Sequence, residues 1–127
     1  MLGIEMKLSR KDFEKLVEAA LAGIPADFRD EMVNVEIEVK ARPGREARGL
    51  GTDLLGLYFG PTRDEMLSPL NVPEPPGRIV LYQENLEDEC ADMKELRREV
   101  SLTLRHEIAH HLGIDDDRLE EVWPEGA

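Results

Sequence analysis

The chain has 127 residues, the size of one domain built around one core, read as a single unit over 1–127. Charged residues make up 35%, and no apolar run approaches the roughly 18 residues of a membrane helix, which argues against a membrane partner. A net charge of −12 would mostly repel phosphate, so nucleic acid is not the expected partner either.

The N-terminus, MLGIEMKLSRKDFEKL, carries charges where a secretory signal has its apolar block, and the single cysteine, Cys90, has no intrachain partner. Both features fit a reducing, cytoplasmic setting. Arginine outnumbers lysine eleven to five and glutamine occurs once, a balance suited to a heat-loving source. The acidic surface serves solubility, and would also attract basic peptides.

Over 9–22 the spacing of Phe13, Leu16, Val17, Ala20 and Leu21 predicts an amphipathic helix, with Ser9 as N-cap and Gly23 past its end. Pro25 opens a short helical turn. Residues 33–41 alternate apolar and charged side chains, which predicts a half-exposed strand. The loop 42–52 comes near a phosphate-binding loop, but Leu50 stands where lysine is required, so a surface loop is the reading.

A second strand is predicted over 53–60, and a third over 78–86, with Ile79, Leu81 and Gln83 on one face. Between them lies a connection holding five of the eight prolines, long enough to form a lid or rim. From Glu87 to Leu112 apolar residues recur every four positions, which predicts one long helix, stopped by Gly113. A short last helix follows, capped by Asp116 or Asp117. The fold class is α+β, with a small, mostly antiparallel or mixed sheet.

All three histidines lie in RHEIAHHLG, and His106, Glu107 and His110 spell H-E-x-x-H. On a helix the two histidines fall one turn apart on one face, where both imidazoles reach one tetrahedral zinc ion. Glu107 sits about 100° round the helix from His106, placed to act as general base toward a water on the ion without having to bind the ion itself. His111 is turned off the ligand face and is left to meet the helix C-terminal dipole or a neighbour. Gly113 can turn the chain back, which brings Asp116 forward as third ligand, with Asp115, Asp117, Glu120 and Glu121 as alternatives. Cys90, with no other histidine to activate it, is read as a small buried residue.

The pattern H-E-x-x-H-x-x-G-x-x-D resembles that of zincin metallopeptidases. More narrowly, LLGLYFG (54–60), RIVLYQENL (78–86) and EVSLTLRHEIAHHLGIDDDRL (99–119) are similar to very short bacterial zincin-like proteins. The resemblance implies a minimal zincin fold: a twisted sheet, a backing helix and a motif-bearing helix. It also implies zinc as cofactor and a peptide or protein substrate lying extended along an edge strand, either 54–60 or 78–83. Larger relatives place a methionine turn beneath the zinc; here Met1, Met6, Met32, Met66 and Met93 all precede His106. Only eleven residues follow Asp116, so a shallow cleft is expected, rimmed by Trp123 and the proline-rich connection. Tyr58, Tyr82 and Arg118 are the candidates to stabilise an oxyanion. Two other classes fit less well: a non-catalytic zincin-like module that binds metal or peptide, and a zinc endoribonuclease, which the acidic surface disfavours.

Overall fold

The structure, a computed structural model, describes residues 7–68 and 76–123. Residues 1–6 and 124–127 lie outside it, as does the stretch 69–75, which holds much of the proline-rich connection expected to rim the cleft.

Helix α1 (Arg10–Ala22) begins where the Ser9 hydroxyl accepts the Asp12 N–H at 3.0 Å, and ends at Gly23. Its buried residues, Phe13 and Val17, belong to the central core. A single turn, α2 (Ala26–Arg29), follows Pro25.

Strand β1 (Val35–Lys40), strand β2 (Gly56–Phe59) and strand β3 (Gly77–Tyr82) form one sheet in the order β1-β3-β2. The pair β1–β3 is parallel and the pair β2–β3 antiparallel, so the sheet is mixed. The central place of β3 explains its sequence: Ile79, Val80, Leu81 and Tyr82 are all fully buried, as a strand covered on both faces must be. Centrality also bears on which strand can offer an edge: among the described residues β2 is paired on one side only, and β3 on both. Between β2 and β3 a capping box of Thr62 and Glu65 starts the short helix α3 (Arg63–Leu67).

The third strand stops at Tyr82, four residues before the expected end at Leu86. Gln83 opens helix α4 (Gln83–Asp88) instead. The cause is tertiary. The buried Gln83 side chain donates to Leu8 O at 2.9 Å and to Glu87 Oε2 at 3.0 Å, while Asn85 donates to Thr52 O and Leu54 O. Of these bonds, Gln83 to Glu87 spans the four residues of one helical turn.

The long helix is correspondingly shorter than expected. Helix α5 (Met93–Leu112) starts at the cap of Asp92, whose carboxylate accepts the Glu95 N–H at 2.9 Å. Leu96, Val100, Leu104 and Ile108, each one turn on, are fully buried and join Phe13, Val17, Ile79 and Leu81 in one core. Gly113 ends α5 in the left-handed region, at φ 73°, and the chain turns into α6 (Asp116–Val122). The cap of α6 is Asp115, accepting the Arg118 N–H at 2.8 Å, rather than Asp116 or Asp117.

Trp123 does not rim a cleft. It is buried and stacks on Phe28, with ring centroids 4.6 Å apart, and its carbonyl accepts from Arg105 Nε and Nη2. An indole of this size gains more from core packing than from an exposed edge. Cys90 is partly buried against the same core, and burial with its acidic neighbours pushes its thiol up to about 11. No helix among the described residues is long and apolar enough to cross a membrane.

Candidate metal centre

The last two turns of α5 carry the chemistry. Ile108 and Ala109 anchor this stretch in the core, which leaves His106 and His110 to project where α5 meets solvent. Their rings sit edge to face with centroids 4.4 Å apart. One ligand atom each from His106, Glu107 and His110 lies within 4.8 Å of the others. Ligands on one tetrahedral zinc stand roughly 3.4 Å apart at bond lengths near 2.1 Å, so small rotations of the two imidazoles would bring both onto one ion, with the Glu107 carboxylate beside it.

Glu107 differs from both histidines in being only 5% exposed. Its Oε1 stands 3.2 Å from His110 Nδ1 but outside hydrogen-bonding geometry, and has no hydrogen-bond partner. Such an oxygen ordinarily costs about 1–3 kcal/mol, so an orphan here marks an atom kept for something the protein itself does not supply. Burial raises the Glu107 carboxyl above the ordinary carboxylate range, opposed by the charge of His106 and a bond from the Tyr58 backbone.

Asp116 lies outside that tight group but close to it. Its Oδ1 is 3.6 Å from His106 Nδ1, and its side chain is 81% exposed, with room to rotate. Of the four alternative carboxylates, three are engaged elsewhere: Asp115 caps α6, Glu120 pairs with Arg105 at 2.8 Å, and Glu121 pairs with Arg118 at 3.3 Å. A donor set of two imidazoles and a carboxylate suits zinc, and the unpartnered Glu107 oxygen beside it suits a water held there.

Next to His106 and Glu107 opens a cavity of about 320 Å³, lined by Leu54, Leu55, Gly56, Leu102 and Thr103. It lies where β2 crosses α5. Gly56 makes this crossing close: a Cβ there would stand 2.6 Å from Thr103 Cγ2. Sequence reasoning missed this cavity, although a glycine within a strand signals a close backbone approach.

None of the three oxyanion candidates offers the cavity a donor. Tyr82 donates to Glu46 Oε2 at 3.0 Å, and Arg118 pairs with Glu121. The Tyr58 hydroxyl is taken up by Pro61 O and His111 Nδ1. His111 itself is fully buried and takes the Val33 N–H on Nε2 at 3.1 Å, the neighbour bond rather than the dipole role. Burial lowers its pKa.

A profile of the zincin-like metallopeptidase family matches residues 32–124. Among solved structures, a conserved hypothetical protein from Thermo thermophilus is similar at 25% identity, over 83% of this chain and 94% of that one, with a TM-score of 0.54. No functionally curated protein matches.

Proposed function

Because the chain belongs to the zincin-like metallopeptidase family, we propose that it hydrolyses peptide bonds, with zinc held by His106, His110 and Asp116. When bound there, the ion would lower the pKa of a ligated water to about 7 and polarise a carbonyl. Glu107 takes the water's proton on its carboxylate and passes it to the leaving nitrogen. The observation that carries this reading is the buried, unpartnered Glu107 Oε1 among two exposed imidazoles.

The substrate peptide lies extended along the side of β2 away from β3, in the manner of an added strand. The cavity under β2 has leucine walls and takes an apolar side chain of the substrate beside the scissile bond.

The test is cleavage of a broad peptide library by the zinc-loaded parent and by Glu107→Gln. Loss of a general base lowers kcat by about 100- to 10,000-fold, with zinc content unchanged. Equal cleavage by both proteins contradicts the mechanism. A parent with full zinc and no cleavage favours the non-catalytic module instead.

A further inference from the structure

Thr103, Glu107 and His111 follow one another at one-turn intervals on α5, and so form a stripe on one side of the helix. Strand β2 crosses this stripe. Gly56 presses on Thr103 at one end, and Tyr58, two residues on and therefore on the same face of the strand, meets His111 at the other. Glu107 lies between the two contacts.

The contact at His111 has a fixed direction. A backbone N–H only donates, so His111 Nε2, which takes the Val33 N–H, must be the bare nitrogen and Nδ1 carries the proton. Nδ1–H then donates to the Tyr58 oxygen at 3.0 Å, and the Tyr58 hydroxyl donates to Pro61 O. The chain of bonds runs Val33 to His111 to Tyr58 to Pro61, with every donor used. It ties the segment just before β1, the motif helix, the edge strand and the loop after it around the buried His111 ring. Two glycines make the space: a Cβ on Gly77 would collide with the Tyr58 hydroxyl, and one on Gly60 would stand 3.3 Å from it.

We propose that Tyr58 and His111 are positioning residues that clamp edge strand β2 at a fixed height above Glu107. The proposal rests on the peptidase reading. A peptide paired with β2 moves with that strand, so a loosened clamp shifts the scissile carbonyl from the base while leaving the strand pairing intact. The clamp therefore governs kcat rather than KM.

The experiment compares the zinc-loaded parent, Tyr58→Phe and Glu107→Gln on one library peptide, with zinc content and amide hydrogen exchange measured on each. Tyr58→Phe keeps the ring and removes only the hydroxyl. The expected result is a kcat lower by about ten- to a hundredfold, with one zinc per chain retained. KM should change by less than about twofold. Exchange at the amides of Leu57 and Tyr58 should quicken. An unchanged kcat overturns the clamp, and so does a loss that follows zinc loss or appears in KM. Parent and Glu107→Gln acting alike would sink the peptidase reading. The clamp then stands or falls on exchange and on nitrogen NMR of His111: unchanged exchange in Tyr58→Phe, or a proton on Nε2, overturns it.

Discussion

Asp116 Oδ1 stands 3.6 Å from His106 Nδ1 across the turn that Gly113 makes between α5 and α6. Two local facts allow this approach. Gly113 takes a φ of 73° without side-chain strain, and Asp115 caps α6, which leaves the neighbouring carboxylate unneeded for that task.

Asp116→Ala therefore weakens zinc binding by about 100-fold, at least the effect of losing a supporting residue around a metal ligand. Asp117→Ala, one residue on, leaves it unchanged. Competition titration against a chelator measures both. Equal losses in the two variants would assign the effect to net charge rather than to a ligand.

The fit of β2 on α5 predicts a steric cost at Gly56. Gly56→Ala places a methyl 2.6 Å from Thr103 Cγ2 and 3.1 Å from Val80 O. Urea denaturation should show a loss of about 1–3 kcal/mol. Adding Thr103→Ser removes the nearer methyl and recovers part of that loss, because the Val80 carbonyl still crowds the site. Full additivity of the two changes would mean they do not meet.

The loop 42–52 is fastened by Glu46. Its Oε2 accepts the Gly44 N–H at 2.9 Å and the Tyr82 hydroxyl at 3.0 Å, and its Oε1 meets Lys40 Nζ at 2.9 Å. Chiefly the Gly44 amide, then Lys40, hold the carboxyl down at about 2, against an ordinary 4.5. A carboxyl lowered in the fold stabilises it above the ordinary value, and that contribution fades as pH falls from 4.5 toward about 2. The stability difference between parent and Glu46→Gln should be greatest near neutral pH and shrink through that window. A difference that stays constant with pH would contradict the bonding.

What the sequence could tell follows the range of each interaction. His106, Glu107 and His110 are legible because helix geometry alone puts them together. Their partner across the turn is half legible: Gly113 announces the reversal, but three adjacent aspartates compete for the cap, and only the fold decides for Asp115. The end of β3 was not legible. Ile79, Leu81 and Gln83 fall on one face of a continued strand, yet Gln83 and Asn85 bond to Leu8, Thr52 and Leu54, residues remote in the chain. The link between Tyr58 and His111 spans 53 positions, and no local pattern carries it. Trp123, expected at the rim of the cleft, is drawn inward by Phe28 and Arg105.

The central claim is that His106, His110 and Asp116 share one divalent cation beside an uncoordinated Glu107. Anomalous diffraction at the zinc edge, from crystals grown with zinc, tests it most directly. One strong peak between the two imidazoles and the Asp116 carboxylate is the predicted result. No peak there under excess zinc, or a peak whose carboxylate ligand is Glu107, would contradict it.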